Sequence, residues 1–368
     1  MIKKILVVLI TMLVSSSVAS DHGIYLKVAT GIGDPIEKVA ESYTNLLKSN
    51  GFILDANYEV STPDIVREDE NEKCGMRAWL IVFTSPNFTR MLTENGNKYL
   101  IGSFLRLGIY ETPNGIDVNI VDPETISRII FNDIWENDEE EKYFQIVDQA
   151  INFKKEFVTA LHSIYSDKKT EEAMPPIRDD EDLMESSKDM FMMVGSLTFF
   201  NDEDQFPVIY KKETEKGENL IPSMKKEIIA NLKKFKPTQE DVEYRFTKSP
   251  EILNWKIISE EYSPDSLALL IGITRDRTEG LSLHIAGSSR EEDNNKCPGI
   301  DHVTAYPIEV LLLQKDGEFI IQTAREMFRM DMYFWDAGMG TFMNHMSMPG
   351  ILDESLRKAM LADKYTED

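Results

Sequence analysis

The sequence predicts an α/β (α+β) protein made of two two-layer sandwich domains, each with a mostly antiparallel sheet and helices packed on one face. Three observations predict this fold. The chain has 368 residues, of which 42% are hydrophobic, enough to bury two ordinary cores. In both halves, short apolar runs bounded by turns alternate with amphipathic helix patterns. An acidic, cysteine-containing segment at 67–75 returns at 290–299, which indicates an internal duplication.

The two acidic segments contain the only cysteines of the chain, Cys74 and Cys297. Each is followed by an apolar run, a turn, a second apolar run, an amphipathic helix pattern and a tryptophan. If the two series are equivalent, the halves form a pseudo-dimer within one chain. Cys74 lies 61 positions before Trp135 (135 minus 74), but Cys297 lies only 38 before Trp335 (335 minus 297). The second copy is therefore expected to lack the helix that follows Ser85.

The elements of the first half can be predicted in order. An apolar run at 24–30 leads into a helix with Asp34 as its N-cap and Pro35 at the first helical position. Asn114-Gly115 between two apolar runs is a strong hairpin signal. The other expected elements are strands at 52–61, 76–84, 104–110 and 116–121, helices opening at Ser85-Pro86 and Asp122-Pro123, and a long helix from about 140 to 165.

A resemblance to a known family rests on four short motifs. They are Gly51-Phe52 after the first helix, Ser85-Pro86 before the second, the strand and turn from Phe104 to Gly115, and Asp122-Pro123. Over residues 24–165 the chain resembles the family called domain of unknown function 302. The resemblance implies a small two-layer α/β domain that tends to dimerise, and it implies no activity. Members often carry a cysteine where Ser85 stands, so no role of that cysteine is carried over.

The second half is expected to be a diverged copy of the first. Charge and proline concentrate after residue 165, which predicts a linker. Beyond it, an amphipathic helix is expected over 221–235, and the capping box Thr323 to Glu326 opens another. The predicted organisation is a signal peptide at 1–20, a first α/β domain at 21–165, an acidic, proline-containing linker at 166–200 and a second α/β domain at 201–368.

The N-terminal residues predict export. A charged start, an apolar stretch at 5–14 and small residues before Asp21 form a secretory signal, with cleavage expected after Ala19 or Ser20. No other apolar run reaches the length of a membrane span. The formal net charge of -24 disfavours nucleic acid and anionic membrane surfaces as partners. We expect a protein of the periplasm.

Export bears on the two cysteines. In an oxidising compartment, an even number of cysteines predicts a disulfide. Cys74 and Cys297 lie 223 positions apart (297 minus 74) in loops that look equivalent, so one bond is expected to join the two halves. The alternative is a redox-active pair. The surrounding carboxylates disfavour it, because they raise the pKa of a thiol.

Methionines cluster between residues 327 and 348, with His345 among them. Met339, Met343 and Met346 recur at i, i+4 and i+7, and thioether and imidazole groups suit Cu(I), so these three methionines and His345 are candidate metal ligands. Two alternatives stay open. The same spacing is typical of a core helix packed among aromatic side chains, and methionines also line apolar ligand pockets.

The sequence contains no zinc-protease motif, no serine-hydrolase elbow and no phosphate-binding loop, and we assign no catalytic residue. His284 and His302 flank one loop and could come together near Cys297, but two lone histidines are more often surface residues or have their hydrogen bonds satisfied. The expected function is non-enzymatic binding of a small ligand or a periplasmic protein, without a cofactor, by a chain that can remain monomeric. The alternatives are copper binding by the methionine cluster and an enzyme acting in a cleft between the unequal halves.

Overall fold

The computed structural model describes residues 21–184, 206–237, 250–290, 292, 294–315, 317–345 and 347–365. Within these residues the protein is a mixed α/β structure with two antiparallel sheets, as the sequence predicted. The predicted signal peptide and the later part of the predicted linker, 185–200, lie outside the described residues. In the described ranges, no helix has both the length and the apolar character needed to cross a membrane.

The first sheet has six strands. They are β1 His22–Ile32, β2 Ile53–Val60, β3 Ala78–Thr84, β4 Leu105–Thr112, β5 Gly115–Val121 and β6 Lys169–Arg178. Their order is β2-β3-β4-β5-β1-β6, and every neighbouring pair is antiparallel. The predicted hairpin joins β4 to β5, and Gly115 adopts a φ of 120° that only glycine tolerates without strain.

The stretch predicted to begin the linker is a strand instead. β6 pairs with β1 at the edge of the first sheet, with Tyr25 opposite Met174 and Leu26 opposite Ala173. Charge and two consecutive prolines in this stretch indicate a linker. An edge strand accommodates both features, because one of its sides has no ladder to complete. The first α/β unit therefore extends beyond residue 165, to at least Arg178.

The second sheet has five strands. They are β7 Val208–Glu213, β8 Lys256–Tyr262, β9 Ala268–Thr274, β10 Ile308–Lys315 and β11 Glu318–Thr323. Their order, read from one edge, is β8-β9-β10-β11-β7, again with antiparallel neighbours. This is the order β2-β3-β4-β5-β1 of the first sheet, as the predicted internal duplication requires.

The helices follow the same repeat. The bounds in the first half are α1 Ile36–Ser49, α2 Pro86–Thr93, α3 Pro123–Ile130, α4 Asn132–Glu136, α5 Glu140–Leu161 and α6 Asp180–Met184. Those in the second half are α7 Ile221–Lys234, α8 Asp276–Gly287, α9 Glu326–Phe334, α10 Met339–His345 and α11 Met348–Leu361. Two 3₁₀ helices, Asn97–Gly102 and Pro298–Ala305, precede β4 and β10 in the two halves.

The predicted register of the duplication is wrong. Cys74 precedes β3, whereas Cys297 follows α8, so the two cysteine loops are not equivalent. The second copy also keeps the helix it was expected to lack, since α8 follows β9 as α2 follows β3. The loops resemble each other because both are acidic and exposed in large part. Strand order, which the sequence does not display directly, defines the true equivalence.

Local sequence explains where several helices begin. Ser85 accepts a hydrogen bond from the backbone N–H of Phe88 at 3.4 Å, and Asp122 accepts one from Glu124 at 2.9 Å. Both are the predicted N-caps, each followed by proline. Asp34 does not cap α1, because Pro35 stands between it and the first helical residue. Its carboxylate accepts a hydrogen bond from Lys38 instead.

The two halves exchange equivalent contacts. Tyr58 on β2 is paired with Leu80, four residues before the end of β3. Glu261 on β8 is paired with Leu270, four residues before the end of β9. Tyr58 and Glu261 therefore occupy equivalent positions in the two halves. The Tyr58 hydroxyl donates to Glu279 in the second half at 2.8 Å. In return, Glu261 accepts from Thr89 in the first half at 3.0 Å. Thr89 and Glu279 each lie five residues after those strands end, so the halves are related by a pseudo-two-fold axis.

One contiguous cluster of buried apolar side chains includes residues from both halves. The 3₁₀ helix Pro298–Ala305 packs on strands of the first sheet so closely that a Cβ on Gly108 would meet Val303 at 2.3 Å. A cavity that both halves line, with Phe104 and Phe328 in its wall, measures only about 30 Å³. The predicted cleft between the halves is filled at this point.

Candidate functional site

A cavity of about 310 Å³ lies wholly within the second half, between its sheet and its C-terminal helices. The volume is at the lower end of the range of roughly 300 to 1,000 Å³ that is typical of small-molecule sites. Side chains from α8, the ends of β10 and β11, α9, α10 and α11 line it. They are Ser282, Ile285, Tyr306, Ile308, Thr323, Ala324, Glu326, Arg329, Met330, Phe334, Trp335, Ala337, Gly338, His345, Met348, Pro349, Leu352, Asp353 and Leu356.

Most of this wall is apolar. Met330 and Phe334 come from α9, and Met348, Leu352 and Leu356 come from α11. The spacing of the α11 residues, i, i+4 and i+8, places them on one face of that helix. A wall of this composition favours burial of an apolar body, at roughly 25 cal/mol for each Å² removed from water.

The hydroxyl groups in the wall are already engaged with the protein. The Tyr306 hydroxyl donates to the Thr278 carbonyl at 3.0 Å, so the Ser282 hydroxyl at 2.6 Å must donate to the Tyr306 oxygen. Burial raises the pKa of Tyr306 to about 12, so it stays protonated. The Thr323 hydroxyl donates to the Glu309 carbonyl at 3.1 Å. None of these three groups has a free proton for a ligand.

Arg329 brings a guanidinium to the wall, and it shares the Glu309 carboxylate with Arg106. Its Nη1 forms an ion pair with Glu309, and its Nη2 donates to the Ala305 carbonyl at 2.6 Å. The group is buried, and burial lowers the pKa of Arg329 from its usual value. This arginine anchors α9 to β10 and lines the cavity.

Two carboxylates also line the cavity. Asp353 on α11 is half-buried and forms an ion pair with Arg357 at 2.7 Å. Burial raises the pKa of Asp353 to about 6, and the negative charge of Glu326 adds to the increase. Glu326, at the start of α9, is half-buried. The two carboxylates are close enough to influence each other across the space between α9 and α11.

His345 completes the polar part of the wall. Its Nδ1 lies 2.9 Å from the Thr341 carbonyl, which can only accept a hydrogen bond, so Nδ1 carries the proton. In the neutral ring, Nε2 then holds the lone pair and acts as an acceptor or as a metal ligand. The residue is half-buried, at the last position of α10.

The structure divides the methionine cluster. Met332 is buried in the core, and Met330 and Met348 line the cavity. Met343 is 51% exposed, which excludes core packing for this residue. Met346 and the side chain of Met339 lie outside the described residues. The interpretation of the cluster as a methionine-lined apolar pocket therefore describes the surroundings of His345.

Cys74 and Cys297 form a disulfide, as the sequence predicted, with their Cα atoms 5.9 Å apart. Carboxylates were expected around the two cysteines, but Arg67 Nη1 lies 3.1 Å from Cys297 Sγ, nearer than the Asp64 carboxylate at 3.9 Å. Arg67 also donates to the Lys296 carbonyl at 2.8 Å. Among the described residues, the His, Cys, Asp and Glu side chains close enough to share a metal are Asp64 and these two cysteines, and the disulfide engages both sulfurs.

The two histidines that flank the Cys297 loop have separate partners. His284 lies 3.5 Å from Arg67, whereas His302 is buried between Asp301 at 2.7 Å and Asp336 at 2.9 Å. Burial opposes the positive charge, but the two carboxylates overcome this and raise the pKa of His302 to about 9. Asp336 is 34 positions away in sequence, so no local pattern could have revealed this cluster.

Sequence reasoning also missed most of the cavity. Its wall combines residues from Ser282 to Leu356, which no single motif spans. The clue in the sequence was the possibility that methionines line an apolar ligand pocket, and the methionines that do so are Met330 and Met348. The helical stripe of Met339, Met343 and Met346 pointed to other residues.

Comparison with known proteins adds little. No family model matches the chain, and no curated protein matches it. Among solved structures, the crystal structure of an uncharacterized conserved protein, DUF302, from Bacillus stearothermophilus is similar at 16% sequence identity with a TM-score of 0.26. The match covers 37% of this chain and 93% of that chain. A likeness at this level carries no argument, so membership in the family stays a prediction.

Proposed function

We propose that this protein is an exported binding protein that holds a small, largely apolar molecule in the cavity of its second half. The observation that carries the proposal is the cavity itself, about 310 Å³ with a predominantly apolar wall. Most of the wall is built on helices and on the ends of strands, which favours a preformed site.

Export is supported by the secretory pattern of residues 1–20 and by the disulfide between the halves, a bond typical of oxidising compartments. We infer a periplasmic location. Expression of the full chain in a Gram-negative bacterium, followed by N-terminal sequencing of the periplasmic fraction, tests this. The expected mature chain begins at Ser20 or Asp21. Recovery of the uncleaved chain in the cytoplasm would contradict export but would leave the proposal of ligand binding in the cavity untouched.

Binding can be tested with the neutral fluorescent probe N-phenyl-1-naphthylamine. The expected result is saturable binding to one site, which Met330→Trp abolishes because the larger side chain fills the cavity. Ile53→Trp is the matched control, since Ile53 lies in the first half and is 51% exposed. Equal binding by the two variants would place the probe elsewhere and contradict the proposal. Native mass spectrometry of the exported protein would then show whether a natural ligand is retained.

Copper binding is the second candidate function. Two observations favour it: Met343 is 51% exposed, and the Nδ1 hydrogen bond of His345 leaves Nε2 as a ligand atom. Competition with a Cu(I) chelator tests this candidate. The double change Met343→Leu and His345→Gln should abolish Cu(I) uptake while circular dichroism stays unchanged. Uptake equal to that of the unaltered protein would exclude these residues as ligands.

A further inference from the structure

A second cavity, of about 420 Å³, lies in the first half, between the start of α2 and the long helix α5. Its volume falls within the range of roughly 300 to 1,000 Å³ that is typical of small-molecule sites. None of its lining residues belongs to the wall of the cavity in the second half. It is a separate candidate site, beyond the function proposed above.

The equivalent space in the second half is filled. Ser85 and Asn87 lie one and three residues after β3 ends, and Arg275 and Arg277 lie one and three residues after β9 ends. Both arginines are fully buried, and the space that they line measures only about 10 Å³. Two further lining positions correspond in the same way, Phe88 to Thr278 and Met91 to Leu281. The duplicated chain keeps this space open in its first copy and closes it in its second.

Phenylalanine rings form the apolar part of the open cavity. Phe52 and Phe153 line it and are half-buried, so part of each ring remains exposed. Packing holds both rings in place: Phe52 lies edge-on to Phe83 at 5.3 Å between centroids, and Phe153 stacks on Phe88 at 4.4 Å. Rings held in this way offer flat, rigid surfaces to the apolar face of a ligand.

Amide side chains form most of the polar part. Among the residues that the structure describes, no hydrogen bond engages the side chains of Asn87, Gln149 or Asn152, all of which line the cavity. Each amide supplies both donors and an acceptor. The Ser85 hydroxyl, on a residue that is only 8% exposed, accepts a hydrogen bond from the Phe88 N–H at 3.4 Å and donates to no other described group. The wall therefore offers a ligand donors and acceptors together.

The wall carries little charge. Glu156 is the one charged residue among the described residues that line the cavity, and it is exposed. Salt screens an exposed carboxylate, so it gives a cationic ligand little attraction. An anionic ligand would find no positive side chain in the same wall. The composition fits a neutral ligand.

We propose that this cavity of the first half binds a neutral carbohydrate. A pyranose ring has an apolar face of C–H groups and an edge of hydroxyls, each of which both donates and accepts hydrogen bonds. The face lies against Phe52 and Phe153, and the hydroxyls exchange hydrogen bonds with the amides of Asn87, Gln149 and Asn152. A purely apolar ligand would remove those amides from water without giving them partners, which is costly.

Saturation-transfer NMR on the full, oxidised protein tests this with four neutral disaccharides: maltose, lactose, cellobiose and N,N′-diacetylchitobiose. We expect at least one of them to bind saturably, with the strongest transfer to ring C–H protons, because those protons lie against Phe52 and Phe153. Asn152→Ala should weaken the binding of that disaccharide about fivefold, the loss expected for one neutral hydrogen bond. Asn152 is exposed, so this change should leave the fold intact.

Gln145→Ala is the matched control, because Gln145 is an exposed amide on the same helix that does not line the cavity. Met330→Trp, which fills the cavity of the second half, should also leave the affinity for the disaccharide unchanged. Loss of binding in Met330→Trp would place the sugar in the second half and overturn the inference. Equal affinities of Asn152→Ala and Gln145→Ala would overturn it too, as would a failure of all four disaccharides to bind. Binding of N-phenyl-1-naphthylamine decides the proposed function separately.

Discussion

Arg106 and Glu309 occupy equivalent positions in the two halves and form an ion pair with each other. Arg106 lies opposite Val82 on β3, and Glu309 lies opposite Gly272 on β9, in each case two residues before the strand ends. Their contact therefore falls on the pseudo-two-fold axis. In a symmetric dimer of identical chains, the same positions would bring two like charges together. The duplicated chain has resolved this conflict by placing opposite charges in its two copies.

A double-mutant cycle on this pair should show strong coupling. Both side chains are almost fully buried, and Arg106 also donates to the Tyr333 hydroxyl at 2.9 Å. Removing one partner of a buried pair typically costs about 3 to 5 kcal/mol when it leaves an uncompensated charge. Arg106→Met leaves Glu309 paired with Arg329, so we expect it to lower the free energy of unfolding in urea by about 3 kcal/mol or less, whereas Glu309→Gln deprives both arginines of their carboxylate and should cost more. The double variant Arg106→Met, Glu309→Gln should be more stable than the sum of the single effects predicts, by at least about 1 kcal/mol.

Strict additivity in that cycle would mean that the two side chains act independently, which would contradict the ion pair between them. Arg77→Met provides the control, because Arg77 pairs with Glu59 and Glu37 at the surface. Exposed pairs of this kind contribute about 0 to 1 kcal/mol.

The exchanged contacts across the axis give a second prediction. Glu279 is fully buried and accepts hydrogen bonds from Tyr58 and from Thr274. In the equivalent contact on the other side of the axis, the acceptor is Glu261, which is only half-buried. Tyr58→Phe should therefore cost about 1 to 3 kcal/mol, because a buried carboxylate loses a donor. Thr89→Val makes the equivalent change on the other side and should cost less. A larger loss of unfolding free energy for Thr89→Val would contradict this order.

The disulfide should contribute strongly to stability. Cys74 and Cys297 close a loop across 223 positions, and a loop of this length restricts the unfolded chain by up to about 5 kcal/mol in the chain-entropy description. The double variant Cys74→Ser, Cys297→Ser should therefore melt at a markedly lower temperature than the oxidised protein. Dithiothreitol should lower the melting temperature of the unaltered protein and leave that of the double variant unchanged. No effect of the reductant on the unaltered protein would show that the bond is not formed.

How far the sequence could predict this structure depends on the range of each signal. Short-range signals succeeded: Asn114-Gly115 makes the hairpin, and Ser85 and Asp122 cap their helices. Each of these depends on atoms a few residues apart. The register of the duplication failed because it was anchored on cysteine loops. Two cysteines that bond must be close in space, but this does not require that they be equivalent.

The sequence did not reveal the candidate site, for a related reason. Its polar groups, from Ser282 to Asp353, come together only when α8, α9, α10 and α11 pack around one end of the sheet. The methionine stripe was visible in sequence, yet periodicity could not decide which methionines face inward. Of the two candidate metal ligands whose side chains the structure describes, Met343 and His345, His345 lines the cavity.

The buried cluster around His302 leads to the last prediction, on the pH dependence of stability. His302 lies between Asp301 and Asp336, and Arg290 donates two hydrogen bonds to Asp301 at 2.8 Å. The folded-state pKa of His302 is raised to about 9, above an unfolded value of about 6.5. Folding therefore favours the protonated ring. Its stabilising contribution is fully present below about pH 6.5 and is lost as the pH rises through 9.

The free energy of unfolding in urea should accordingly fall between pH 6.5 and pH 9, measured with the disulfide oxidised. Asp336→Asn should flatten this slope, because it removes one of the two charges that hold the proton. The Asp336 side chain is 16% exposed, so this change disturbs packing less than replacing the buried ring. His302→Gln should remove most of the slope. The part that remains near pH 7 is assigned to Asp55, because burial raises the pKa of its carboxyl group to about 7. A slope that persists unchanged in both variants would assign the pH dependence to other groups and show that His302 is neutral in the folded protein.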